Sequence, residues 1–284
     1  MQLITFASGN GPRAGVLTTD GIIDAWEVLD HPTRATLREL IAEDRVSEVA
    51  ERIEAGTEVE PIDPSTVEIF APIPDPDKII CIGLNYTAHA KETGQDLPKA
   101  PIIFGKYRNA LVGDGQTVTL PEASTKVDFE AEVAVVIGRR AKEVTVEDAL
   151  GHVAGYTLLN DLSARDLQGL TSQWMAGKVF DGSAPCGPAL ITPDEAGAHD
   201  KIGISLTLNG EEMQNSSTDD LIFSIPELIS QLSKWMTLEP GDIISTGTPA
   251  GVGVGRKPWV WLEDGDDVIV KSPQLGELRT TIRR

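Results

Sequence analysis

KVDFEAEVAVVIG, residues 126–138, is the stretch from which the rest of the chain is read. Side chains of a strand alternate between its two faces. Glu130 and Glu132 therefore share one face, and Ala131, Val133, Val135 and Ile137 share the other. Same-face neighbours lie roughly 6.6 Å apart, a gap that two Glu side chains can close onto one cation. Two carboxylates heading an apolar strand repel each other and resist burial, and a divalent ion relieves both problems. A solvated strand face explains this pair equally well when the stretch is taken alone.

Around this strand, short apolar runs between Gly and Pro predict further strands over 78–82, 117–120, 153–159, 202–208, 242–245, 267–270 and 277–282. Asn209-Gly210 marks a hairpin turn. A helix is predicted over 226–236, opened by a Ser224/Glu227 capping box, with Leu228, Ile229, Leu232, Trp235 and Met236 on one side. A second, short helix is expected to start near Thr145. Many short strands and few helices predict a mixed β sandwich or roll.

The first 71 residues form a different pattern. Strands over 3–7, 14–19 and 22–28, with a turn at Asp20-Gly21, precede a helix opened by Thr36 and Glu39. This predicts a small α+β N-terminal domain. Pro61, Pro64, Pro72, Pro74 and Pro76 cannot continue a helix or central strand, so the segment reads as a linker or extended arm. The expected division is 1–71 and 72–284.

Composition narrows the functional classes. Lys and Arg number 24 against 44 Asp and Glu, a net charge of -20, which argues against a nucleic-acid partner. The chain has no run of about 18 apolar residues, so no membrane span is expected. MQLITFASGN lacks the basic start and apolar run of a signal peptide. Cys81 and Cys186 sit far apart in apolar or Gly/Pro-rich contexts and read as free thiols. Together these predict a protein of the reducing cytoplasm. The glycines of GVGVGRKP match neither the dinucleotide nor the phosphate-loop pattern.

A second segment favours a metal site over a solvated face. In GYTLLNDLSARDLQ, residues 155–168, an apolar run stops at Asp161. With Glu130 and Glu132 it makes an all-oxygen set, and such hard ligands suit Mg²⁺ or Mn²⁺. Arg165 or Lys178 would then attract an anionic acid. Of four histidines, only His89 has a carboxylate, Glu92, three residues on. If 86–92 is helical, the two share a face and Glu92 can raise the basicity of the imidazole. The alternative is a surface ion pair worth under about 1 kcal/mol. Backbone donors and the Thr248 hydroxyl in STGTPAGVGVGRKP (245–258) can hold a carboxylate.

These motifs resemble the fumarylacetoacetate hydrolase family. The matches are IGLNYTAHAKE (82–92), PIIFGK (101–106), DFEAEVAVVIG (128–138), GYTLLNDLSARDLQ (155–168), GKVFDGSAPCGP (177–188) and LEPGDIISTGTPAGVG (238–253). The resemblance implies a mixed β roll of this type, usually dimeric, that uses Mg²⁺ or Mn²⁺. It implies Glu130, Glu132 and Asp161 as metal ligands and His89 with Glu92 as a water-activating dyad. Lys178 and Arg165 would stabilise developing negative charge, Gln168 would touch the substrate, and Thr248 would bind its acid group. Lys106 and Tyr107 receive no role. Ile82 stands where the animal hydrolases have a further Asp, which points away from fumarylacetoacetate itself.

The expected activity is metal-dependent hydrolysis of the C–C bond of an acylpyruvate or 2,4-diketo acid, including sugar-acid-derived ones. The alternatives are oxaloacetate decarboxylation, isomerisation of a 2-hydroxy-dienoate, or dehydration of a 2-oxo-3-deoxy sugar acid. Outside the enzymes, the alternative is a binding protein with a relict site, against which the intact acidic set and dyad speak. The expected partners are a small 2-oxo acid and a second copy of the chain.

Overall fold

The computed structural model describes residues 1–31, 33 and 36–284. At its centre is the strand Ala131–Ile137, with all seven residues buried. It runs antiparallel to Val153–Asn160 on one side and to Ile243–Ser245 on the other. Beyond Ile243–Ser245 lie Ile79–Gly83, parallel to it, and then Ile102–Lys106. Beyond Val153–Asn160 lies Ala184–Ile191, followed by the N-terminal strands Gln2–Ser8, Gly11–Thr18 and Gly21–Asp24.

The large sheet therefore crosses residue 72. Gln2 pairs with Ile191 and Leu3 with Leu190. The proline-rich arm lies along the first strand: Ile69 and Phe70 pair with Phe6 and Thr5, and the Ala7 amide donates to the Glu68 carbonyl at 2.8 Å. A second sheet orders Glu211–Ser217, Gly203–Leu208, Asp267–Ser272, Gly276–Arg283 and Thr117–Thr119.

Two cores explain why the central strand is apolar on both faces. Val133, Val135 and Ile137 pack in one core with Leu206, Val268 and Leu278 of the second sheet. Ala134 and Val136 pack in the other with Trp26, Leu37 and Leu40 of the N-terminal region. Each such fully buried aliphatic side chain stabilises the fold by about 1.5–3 kcal/mol. The result is a mixed β roll with a small α+β region against it.

Local chemistry sets the element ends. Both capping boxes form, at Thr36/Glu39 and Ser224/Glu227. The helix Ile225–Trp235 buries Leu228, Ile229 and Leu232 but leaves Trp235 exposed. The single helix expected after Thr36 is two, Leu37–Ala42 and Val46–Glu54, because Asp44 between them adopts φ 55°. The strand expected over 22–28 stops at Asp24, whose carboxylate accepts the Trp26 and Glu27 amides and starts the helical turn Ala25–Val28. The helix expected near Thr145 is a 3₁₀ turn, Ala149–His152.

Candidate active site

Strand register brings the acidic residues together. Ala131 stands opposite Asn160, so Glu130 and Asp161 meet just beyond the two strand ends, and the Asp161 amide donates to the Glu130 carbonyl at 2.9 Å. Glu130 precedes the strand rather than sharing its face with Glu132, so the carboxylates converge from loop and strand. Ligand oxygens of Glu130, Glu132 and Asp161 lie within 4.8 Å of one another, and all three residues are buried.

Three cations enclose this set. Lys178, in the short helix Met175–Lys178, donates to Glu130 Oε2 at 2.6 Å and Asp161 Oδ2 at 2.7 Å. Lys106 Nζ lies 2.8 Å from Asp161 Oδ1 and hydrogen-bonds the Lys178 carbonyl and Ser183 Oγ. Arg165 Nη2 lies 2.6 Å from Glu130 Oε1 and 2.8 Å from Asp128 Oδ2. Glu132 stands on the opposite side. Glu132 Oε2 accepts from Ser245 Oγ at 2.5 Å and from the Gly247 amide at 2.9 Å.

The two glutamates titrate in opposite directions. Burial alone raises Glu130, but the Arg165 and Lys178 charges outweigh it and hold the carboxyl well below the usual range. Burial, then the charges of Asp161 and Glu130, push Glu132 up to about 8. Lys178 is held charged by Asp161 and Glu130 despite its burial.

A divalent cation fits this geometry. The donors are hard oxygens, and Asp161 Oδ1 is buried without an aligned hydrogen bond although Lys106 is close. When all are ionised, Asp128, Glu130, Glu132 and Asp161 carry one more charge than Lys106, Lys178 and Arg165. A dication reverses that sign, leaving a site that attracts an anionic acid.

His89 and Glu92 lie in the helix Thr87–Glu92, three residues apart on one face. Nδ1 of His89 is 3.1 Å from Glu92 Oε2, and Glu92 Oε1 accepts the Gly251 amide at 2.9 Å. Burial raises Glu92, but the hydrogen bonds from His89 and Gly251 more than offset it and leave the carboxyl below its ordinary value. His89 is buried, so the pair is not a solvated surface contact.

A cavity of about 190 Å³ gathers most of the expected residues. Glu130, Glu132, His89, Lys178, Arg165, Gln168 and Thr248 line it. Asp161 lies behind the lining, against Lys178, and Glu92 behind His89. Gln168 Oε1 accepts from Arg165 Nη1 at 3.0 Å.

Four further residues had no role in the sequence reading. Asp128 accepts Arg165 together with the Gly253 and Val254 amides. Lys106 reaches Asp161. Phe104 and Trp174 form an edge-on pair, ring centroids 5.6 Å apart, with Lys178 Nζ 4.8 Å above Phe104. For Asp128 and Lys106 the available signal was a charged residue inside a strand motif, but spacing alone names no partner.

Comparison with known proteins places this site. Residues 78–283 match the family model "Fumarylacetoacetate (FAA) hydrolase C-terminal". The chain is 40% identical over 290 residues to "Oxaloacetate tautomerase fahd2, mitochondrial" of Xenopus laevis, covering 99% of this chain and 90% of that protein. It is 41% identical over 282 residues to "Oxaloacetate tautomerase FAHD2A, mitochondrial" of Bos taurus, covering 97% and 90%. The solved fumarylacetoacetate hydrolase of Exiguobacterium antarcticum superposes with a TM-score of 0.83 at 32% identity, covering 100% and 99%. The expected cytoplasmic location is corrected by these relatives, since both tautomerases are named mitochondrial. An acidic composition and free thiols suit either compartment, so they could not have decided it. Converging carboxylates, a buried dyad and whole-chain similarity make the protein an enzyme acting on a small molecule, one that cleaves or isomerises it, and the chain belongs to the fumarylacetoacetate hydrolase family.

Proposed function

We propose that the enzyme interconverts the keto and enol forms of a short 2-oxo dicarboxylic acid of the oxaloacetate type. The observation that carries this reading is the near full-length similarity to two oxaloacetate tautomerases, at 40% and 41% identity. It displaces the hydrolytic expectation in favour of the isomerising alternative. Tautomerisation moves one proton from C3 to the carbonyl oxygen and requires no attacking water. A cavity of about 190 Å³ suits a substrate of a few carbons, being below the roughly 300–1,000 Å³ of drug-sized sites.

In this reading His89 is the base. With Nδ1 engaged by Glu92, Nε2 is the nitrogen left to take the C3 proton. Lys178 and Arg165 fix the carboxylates and supply positive charge beside the substrate oxygens, Gln168 touches the substrate, and Thr248 receives its acid group. Glu130, Glu132 and Asp161 would hold a dication, Mg²⁺ or Mn²⁺, which supplies Lewis-acid stabilisation of the enolate charge. A homodimer and a division at residue 72 belong to the same reading, and the family match starting at residue 78 supports the division.

The test follows the enol absorbance of oxaloacetate with enzyme and Mg²⁺ or Mn²⁺, alongside pyruvate release. Faster equilibration without pyruvate supports tautomerisation, with His89→Ala reducing the rate by about 100-fold or more. Cleavage of acylpyruvates with no effect on the enol signal overturns it. That outcome is the second reading, favoured by the Exiguobacterium hydrolase and by a dyad able to deprotonate water.

A further inference from the structure

The side chain of Gln214 is buried between the head of the central strand and the loop that carries Thr248. Oε1 of Gln214 accepts the Ala131 amide at 2.9 Å. Nε2 donates to the Pro249 carbonyl at 2.9 Å and to Thr248 Oγ1 at 2.8 Å. These partners fix the amide orientation. Turning it over would set an NH₂ group against the Ala131 N–H and an oxygen against the Pro249 carbonyl.

The orientation has a consequence for Thr248. Its hydroxyl oxygen accepts from Gln214, so its single hydrogen must be donated elsewhere. No acceptor for that hydrogen is found among the described residues. Thr248 lines the cavity that holds Glu130, Glu132 and His89. The unspent donor is therefore available on the substrate side.

We propose that Gln214 is a positioning residue that occupies one lone pair of the Thr248 hydroxyl and so directs its hydrogen to an acceptor on the substrate, as a carboxylate oxygen is. This rests on the 2-oxo acid reading above and deepens it by specifying the chemistry of the acid end. Ala131 lies between two of the acidic residues, so Gln214 also ties the acid-binding loop to the carboxylate cluster.

The test is calorimetric binding of oxalate to enzyme loaded with Mn²⁺, in wild type, Gln214→Glu, Thr248→Val and the double variant. In Gln214→Glu the carboxylate at 214 accepts from the Thr248 hydroxyl and turns its hydrogen away from the cavity. Oxalate affinity is expected to fall by about 10- to 100-fold, with Mn²⁺ affinity changed by less than about threefold. The same substitution in the Thr248→Val background is expected to add less than about threefold, because the hydroxyl through which it acts is gone. Gln214→Glu in a Thr248→Ser background, where the hydroxyl is kept, is expected to restore the full loss. Equal loss with and without the residue-248 hydroxyl would mean that the new charge acts directly, and that overturns the proposal. Absence of oxalate binding by the wild type overturns the 2-oxo acid reading and this inference with it.

Discussion

Gly255 packs directly against the Glu92 carboxylate: a β-carbon at position 255 would stand 2.6 Å from Glu92 Cδ and 2.7 Å from Oε1. The glycine-rich loop thus makes room for the dyad and also holds it, through the Gly251 amide. Gly255→Ala forces the flexible Glu92 side chain aside and releases His89 Nδ1. We expect kcat to fall by about 100-fold with dication affinity retained, because a displacement of about 1 Å at a reacting group costs that much. Steady-state kinetics with metal titration checks it, and an unchanged kcat would remove the loop from the positioning of the dyad.

Asp128 is expected to matter through Arg165 and through the loop amides of Gly253 and Val254. It is buried, and its burial raises its carboxyl above the ordinary value even though Arg165 lies against it. Asp128→Ala leaves the guanidinium with Glu130 as its one remaining carboxylate and leaves the Gly253 and Val254 amides without their acceptor. Removing one side of a buried ion pair costs about 3–5 kcal/mol. Chemical denaturation should show a loss of that size, while Asp128→Asn, which keeps an acceptor oxygen for the Gly253 amide, should lose less.

Much of this arrangement was legible in the sequence where chemistry is local. A carboxylate three residues after a histidine, a capping box, or Asn209-Gly210 between strands acts over one turn of chain, and each takes its expected form. The acidic cluster was legible for a different reason: the apolar run ending at Asp161 supplies a third carboxylate that makes an all-oxygen set with Glu130 and Glu132. What escaped was set by long-range pairing. The strand Ala184–Ile191 carries Gly187 and two prolines, yet it bridges the N-terminal strands to the centre of the sheet. The strand Glu211–Ser217 is polar, and its one buried amide, Gln214, gains meaning only from partners some 34 and 83 residues away. Phe104 and Trp174 likewise meet although they stand 70 positions apart in the chain.

That aromatic pair predicts a limit on substrate length. Trp174 packs over Gly83, where a β-carbon would stand 2.3 Å from the indole, and it forms one wall of the cavity. Trp174→Ala should open that wall toward longer 2-oxo acids. The ratio of kcat/KM for a six-carbon over a four-carbon substrate is expected to rise by about 10-fold or more, the discrimination typical of a methylene or two in an apolar pocket. A panel of 2-oxo dicarboxylates measures it, and an unchanged ratio would place the length limit elsewhere.

The raised Glu132 carboxyl gives metal binding a pH dependence with a definite sign. Its folded value of about 8 exceeds the ordinary 4.5, so the metal-free protein holds a proton there at neutral pH. A dication needs the carboxylate, so binding must expel that proton. Dication affinity is therefore expected to rise as pH climbs from 6 to about 8 and to level off above, as the proton no longer has to be displaced. Stability without metal runs the other way. The folded state binds this proton more tightly than the unfolded chain, so metal-free stability falls as pH rises from about 4.5 toward about 8, and added metal restores it. Calorimetric Mn²⁺ titrations at pH 7 in buffers of different ionisation enthalpy should report close to one proton released per ion. Glu132→Gln should abolish that release and weaken binding. Release of no proton by the wild type would show that Glu132 is already ionised, or that it does not face the ion.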